Sequence, residues 1–414
     1  MVLLNKGDEY YMSKRIYWEN PYLTNIDAYV TEKYLKDGKC YLKLDKTIFY
    51  PDLSGGQPRD YGYINDIEVE DVYEDGSDIV HVLSGNVDKL DVKLSIDFDR
   101  RFDHMQQHTS QHILSAAFFN IFNWQTESFH MGNQYSTIDL STRDITENEI
   151  QKAEILANKI IQSNFKVSTY IVNKDNLKAI PIRKNITINE NIRIVEIEGL
   201  DYSICAGTHV SSTGEIGIVK IIGYEKIKSI IRIKFISGQR ALNHYLTVYS
   251  TIDTIRKNLS TNENDLVNKV SEILEQNKSL QKKNVNLKNK IVELKAFELI
   301  SKLQRINNFK FIIESFDDED AIYIDNIRHY IRNNHEDIFQ VYTSESSNSV
   351  LFTISKPKLF SIDMKNVFLE LSKMYEIKGG GNNDIIQGNI NSEFRNDFIN
   401  NAISIIVSML TRKG

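Results

Sequence analysis

The chain has 414 residues, 41% of them hydrophobic and 26% charged, and carries a formal net charge of −6. That length fills more than one core, which predicts two or three domains, and the acidic balance excludes a global pull toward nucleic acid, so any RNA contact must come from local patches. Charges run through the opening residues and no apolar stretch approaches the ~18 residues that cross a membrane, so a soluble, cytoplasmic protein without a membrane partner is expected.

Residues 1–98 hold short apolar runs at Cys40–Leu44, Ile79–Leu83 and Val92–Ile96, separated by turn signals at Lys36-Asp37-Gly38, Glu74-Asp75-Gly76 and Ser84-Gly85-Asn86. Alternation broken by such turns predicts a small β-barrel-like domain, with Cys40 as buried strand filler. Tyr50–Pro58 interrupts it as a loop. Gly55 and Gly56 there permit close backbone approach to a ligand, and equally serve a plain turn.

Residues 99–250 predict an α+β domain with an antiparallel sheet. Ile113, Leu114, Ala117, Phe118 and Ile121 recur at helical steps within 99–122, a second helix covers 147–164, and strands follow near 167–172, 192–197, 217–222 and 230–236. Residues 251–306 change character. Leu259, Leu266, Ile273, Leu280, Leu287 and Leu294 fall seven apart, and placing them at d puts Glu263, Val270, Asn277, Asn284 and Ile291 at a. This predicts a coiled coil, with Asn277 and Asn284 fixing the register of a dimer; the competing arrangement is an intrachain helical hairpin. Residues 307–414 alternate strands near 309–313, 339–342 and 350–354 with helices, and include Gly379-Gly380-Gly381, as expected of an α/β module. The fold class is therefore α+β.

Chemistry concentrates in two short segments. His108 and His112 stand four apart on the predicted helix and so share a face, while Cys205 and His209 flank a glycine nearly a hundred residues later. Three imidazoles and one thiolate suit a single tetrahedral zinc ion better than magnesium or calcium, which prefer oxygen. The chain has two cysteines and nine histidines in all, so this grouping weighs against chance. A purely structural zinc site is the main competitor.

The run Arg101–His112, the segments Cys205–His209 and Thr213–Gly217, Ile233–Leu242, the Gly55-Gly56-Gln57-Pro58 loop, Ser128–Gly132 and Thr137–Leu140 together resemble the editing domain shared by alanyl-tRNA synthetases and the free-standing AlaX-type proteins. The resemblance covers roughly the first 245 residues. The C-terminal module is similar to the glycine-rich domain that follows it in those synthetases, although its cluster continues Asn382-Asn383 rather than with further glycines. The resemblance implies that His108, His112, Cys205 and His209 bind one zinc per chain, and that the substrate is the acceptor end of mischarged tRNA. Where the synthetases carry Gln-x-Gly-Ser after the ligand helix, this chain has Gln125-Thr126-Glu127-Ser128.

A pocket built for alanine cannot strongly reject serine or exclude glycine, so a second, hydrolytic site has to clear those products. Thr109 is the candidate for contacting a serine hydroxyl, unless its own backbone satisfies it. Gln57 and His130 are candidates for positioning water. Arg100, Arg101, Lys226, Lys228, Arg232, Lys234 and Arg240 form the candidate phosphate patch. Only about a hundred residues precede His108, too few for an aminoacylating domain, so the expected action is in trans. Two alternatives stand beside this reading: hydrolysis of seryl-tRNA(Thr), and a non-catalytic dimeric tRNA-binding protein with structural zinc.

Overall fold

In the strand Lys39–Leu44 the side chains of Cys40, Leu42 and Leu44 are buried and those of Lys39, Tyr41 and Lys43 are not, the period-two pattern of a one-faced sheet. The computed structural model describes residues 2–3, 13–52, 54–183, 192–317, 323–346 and 349–412; Leu53, in the predicted Tyr50–Pro58 loop, lies outside them. Strands pair antiparallel in the order Val2–Leu3, Asn25–Lys36, Lys39–Leu44, Asp78–Leu83, Ile67–Asp75, Gly62–Ile64 and Asp91–Ile96. Asp91–Ile96 also pairs with the start of Asn25–Lys36, closing the sheet into a ring around Leu42, Leu44, Val72, Ile79 and Leu94.

His81 lies fully buried in that ring. Its Nε2 meets the Thr47 hydroxyl at 2.8 Å and its Nδ1 the Leu42 carbonyl at 3.3 Å, a pairing that a neutral imidazole satisfies. Burial pushes its pKa down to about 4. The unfolded chain, with an ordinary imidazole, binds the extra proton first, so this contribution to stability is complete above the unfolded value of 6.5 and is lost as pH falls toward 4. Acidifying from pH 7 to 5 is expected to remove on the order of 2 kcal/mol at this residue, read as the part of the urea-midpoint shift that His81→Gln abolishes.

The helix Phe98–Phe122 begins where the Asp97 side chain accepts from Arg100 N at 3.1 Å and stops at Asn123, which is left-handed at φ 59°. It is buried almost continuously from His104 to Phe118. Met105, Ile113, Leu114, Ala117 and Phe118 pack with Ile150, Ala153 and Ala157 of the helix Glu147–Gln162 and with Ile138, Leu140, Ile233 and Phe235 of an antiparallel sheet. That sheet runs Thr126–Met131, Ser136–Leu140, Ile230–Ser237, Val219–Ile227. A second antiparallel sheet orders Val167–Val172, Ile192–Ile197 and Asp201–Ile204. The fold is thus mixed α+β with several antiparallel sheets, as the sequence predicts.

Arg101 ties the helix to the ring. Its guanidinium donates to both carboxylate oxygens of Asp60 and to the carbonyls of Pro21 at 2.9 Å and Ile48 at 2.6 Å, with Arg101 and Asp60 both at 0% exposure.

The chain separates into two compact units, Met1–Asn258 and Leu259–Gly414. In the second, the helix Leu266–Ser301 begins after Leu259 and Glu263, so those first members of the heptad series are not helical. Val270, Ile273, Leu280, Leu287, Ile291 and Leu294 are 38–69% exposed along it. Near its end Val292, Ala296 and Leu299 are buried against Ile312, Phe316, Ile327 and Ile331. A six-stranded mixed sheet follows, parallel only between Phe309–Phe316 and Ile338–Ser346. The glycine cluster forms the edge strand Lys378–Gly381, where a Cβ on Gly379 would stand 2.3 Å from the Gln387 carbonyl oxygen. Among the described residues no helix is long and apolar enough to cross a membrane.

Candidate metal centre

The two halves of the His/Cys pattern meet in the first unit. His108 and His112 project from consecutive turns of the helix, their rings 5.5 Å apart, and Cys205 and His209 follow the strand Asp201–Ile204. One donor atom from each of the four lies within 4.8 Å of all the others. The Cys205 sulfur is 3.3 Å from His108 Nε2 and 3.4 Å from His209 Nε2. Tetrahedral zinc with Zn–N near 2.0–2.1 Å and Zn–S near 2.3 Å holds its nitrogen and sulfur ligands about 3.6 Å apart, so the spacing suits the ion.

Each imidazole is aimed from behind. His108 Nδ1 donates to Gln57 Oε1 at 3.0 Å. His209 Nδ1 donates to Thr109 Oγ1 at 3.1 Å, while that hydroxyl donates to the Met105 carbonyl at 2.8 Å. His112 Nδ1 faces the Asp201 carboxylate at 3.5 Å. With protons on the three Nδ1 atoms, three Nε2 lone pairs are free to converge beside one sulfur. Among the described residues the buried His112 Nε2 has no hydrogen-bond partner, an orphan that a metal would satisfy.

The loop carrying Cys205 and His209 is pinned through its carbonyls. Trp18 Nε1 donates to Ala206 O at 2.8 Å, and Arg193 donates to Cys205 O at 2.8 Å and Gly207 O at 2.9 Å. Gly207 lies so close to the His108 ring that a Cβ there would stand 2.1 Å from Cε1.

Electrostatics favour a bound cation. Burial opposes ionisation of Cys205, yet the neighbouring His108 and His209 rings bring its thiol well below the usual range. Burial alone would lower His112, but Asp201 and Cys205 beside it push its pKa up to about 9. The cluster thus attracts a proton to the position where a metal would sit. Burial lowers His209 to about 3, keeping that ring neutral and able to ligate.

A cleft of about 290 Å³ opens onto His108, His112 and Cys205; Gln111, Ser115, Thr126, Ser128 and Arg183 supply polar parts of its wall, and Phe129, Ile182 and Ile204 supply apolar ones. The Thr126 hydroxyl and Gln111 Nε2 both donate to Ser115 Oγ, and Ser128 donates to Asp139 at 2.6 Å.

Residues 192–234 match the family model described as the threonyl and alanyl tRNA synthetase second additional domain. Alanyl-tRNA editing protein AlaX-L of Pyrococcus horikoshii is 33% identical over 404 residues, 92% of this chain and 96% of its own. This chain belongs to the alanyl-tRNA editing proteins. Alanyl-tRNA editing protein Aarsd1 of Danio rerio is 30% identical over 85% of this chain and 84% of its own. An alanine–tRNA ligase of Ignicoccus hospitalis is 27% identical over 89% of this chain but only 40% of its own length.

In this editing protein the sequence-predicted residues fall into distinct places. Gln57 and Thr109 stand behind the imidazoles, and neither lines the cleft. The Thr109 hydroxyl bonds its own helix backbone, as a buried helical threonine does. His130 is exposed on Thr126–Met131 and lies outside the cleft wall. Arg101 is corrected as a phosphate contact, since full burial against Asp60 withdraws it from the surface. Lys226 pairs with Asp144, Arg232 with Asp139, Lys234 with Glu225 and Arg240 with Asp103, so much of the predicted basic patch is neutralised within the chain. Arg100 and Lys228 make no ion pair among the described residues; the Arg100 guanidinium lies 3.8 Å over the Tyr61 ring. Asp201, Arg183, Trp18 and Arg193 escaped the sequence reading because no local motif marks them.

Proposed function

We propose that this protein hydrolyses mischarged tRNA in trans, acting on seryl-tRNA(Ala) and also glycyl-tRNA(Ala), with one zinc ion held by His108, His112, Cys205 and His209. The carrying observation is the convergence of three imidazole nitrogens and one sulfur beside a cleft onto which His108, His112 and Cys205 open. The names of the relatives support the substrate class. When bound, zinc supplies Lewis acidity toward an ester carbonyl or an attacking water.

The chain's own residues do the rest. Gln57 and Thr109 hold two ligand rings in their tautomers, and Ser115, Thr126 and Ser128 surround the bound amino acid with hydroxyls. A serine side chain completes hydrogen bonds there that alanine leaves unmade, and that difference protects correct alanyl-tRNA. Arg100 and Lys228 meet phosphates of the acceptor end. The apolar stripe of Leu266–Ser301 pairs with a second copy, Asn277 and Asn284 fixing its register. We retain the division into a barrel-like 1–98, a zinc-binding 99–250, a helical 251–306 and a glycine-rich 307–414.

One observation favours a non-catalytic reading: His108, His112, Cys205 and His209 together would fill a tetrahedral shell and leave no open position. Incubating the protein with seryl-, glycyl- and alanyl-tRNA(Ala) and with seryl-tRNA(Thr), with and without a chelator, separates the two. Chelator-sensitive loss of the serine and glycine esters on tRNA(Ala) is expected. Serine ester that persists with fully metallated protein overturns the hydrolase, and faster loss from tRNA(Thr) reassigns its substrate.

A further inference from the structure

The three imidazoles differ in what stands behind them. His108 and His209 rest on neutral groups, the Gln57 amide oxygen and the Thr109 hydroxyl. His112 faces a carboxylate, and its buried Nδ1 has no hydrogen-bond partner nearer than Asp201 Oδ2 at 3.5 Å. Asp201 is itself buried, with 1% of its side chain exposed. Arg183 grips it through two nitrogens, Nε on Oδ1 and a terminal nitrogen on Oδ2 at 3.1 Å, and Ser203 Oγ donates to Oδ2 at 2.8 Å. Taking a carboxylate out of water is costly unless a cation and hydrogen bonds compensate it, and Arg183 and Ser203 supply both. One edge of Oδ2 remains turned to the ring that carries the orphan Nε2.

We propose that Asp201 is a positioning residue for the metal. It holds His112 as the Nδ1–H tautomer, leaving Nε2 for the ion, and places negative charge behind that ligand; Arg183 keeps the carboxylate ionised and in place. The proposal rests on the reading that the cluster binds zinc, and it names a residue outside the ligand set on which affinity depends. A carboxylate behind a ligating imidazole fixes ring orientation and raises ligand basicity, and losing such a partner typically costs 10–100-fold in metal affinity. A role confined to folding would instead make Asp201 an anchor for Arg183, with no effect transmitted through His112.

The test is zinc affinity of the full chain, measured by competition with a chromogenic chelator, alongside the visible spectrum of the cobalt-loaded protein. Asp201→Asn keeps the shape and removes the charge. It is expected to weaken zinc at least tenfold while the sulfur-to-cobalt band persists, and Asp201→Glu is expected to recover part of the loss. In a His112→Ala background, Asp201→Asn should change affinity no further, because its effect passes through the missing ring. The melting temperatures of the metal-free variants separate this from general loss of fold. Should Asp201→Asn not fold, Asp201→Ser, which also removes the charge, is compared with wild type alone and in the His112→Ala background and carries the same test. Unchanged affinity in the foldable variant, or an equal drop with and without His112, overturns the proposal. A wild-type protein that takes up no zinc overturns the metal reading beneath it.

Discussion

Asp60→Ala is expected to destabilise the unit Met1–Asn258 by roughly 3–5 kcal/mol, because it strands the fully buried Arg101 guanidinium without its counter-charge. The carbonyls of Pro21 and Ile48 would still accept from Arg101, but two neutral acceptors do not replace a carboxylate that takes two of its donors and also accepts from Tyr50 N at 2.7 Å. Arginine cannot shed its proton to escape, so the charge remains. Urea unfolding of the first unit's signal measures the loss. The double variant Asp60→Leu/Arg101→Met, which removes both charges and restores apolar volume, is expected to unfold at higher urea than Asp60→Ala. If the single variant matches wild type, the pair is not what joins the helix to the ring.

Gly207→Ala is expected to empty the metal centre and lower deacylation by about 100-fold or more, since misplacing a catalytic group by even 1 Å costs on that order. The added methyl would stand 2.1 Å from His108 Cε1, 2.2 Å from Nδ1 and 3.2 Å from Gln57 Oε1. Neither side has room to yield. The ring is held by Gln57, and the loop is held by Trp18 and by two bonds from Arg193. Zinc per chain, read by atomic absorption after dialysis, should fall well below that of wild type, while helix content by circular dichroism stays near it. Full zinc occupancy in Gly207→Ala would show that the loop moves more freely than its bonds imply.

The four-residue cluster was legible in the sequence because metal chemistry restricts residue type and spacing together: two histidines one helical turn apart and a Cys/His pair around a glycine are the donor set that a zinc ion would need. Their supports were not. Asp201 faces the His112 ring from a distant strand, and Arg183, 18 positions before Asp201, grips that carboxylate; nothing in either local sequence announces it. The basic cluster misled for a related reason. Composition counts cations along the chain, whereas sheet pairing places Asp139 directly opposite Arg232 and Glu225 beside Lys234.

Strands were readable where one face is wet. Ser136–Leu140 is buried at every position and mixes Ser, Thr and Asp with Ile and Leu, so it shows neither alternation nor a plain apolar run. Heptad spacing likewise located the helical stretch without marking its start, because Leu259 carries the period into a turn where Ser260 is left-handed at φ 48°.

Trp18 reaches 188 positions along the chain to hold Ala206, and Gln57 reaches 151 to hold Thr208. The opening hundred residues therefore shape the His/Cys cluster although they add none of its four donor atoms. A gene rearrangement that moved the histidine helix and the cysteine loop alone would deliver the right donors with nothing to aim them. Such a centre is inherited as a block, and shortening the protein from its front end removes its geometry before it removes any of its chemistry.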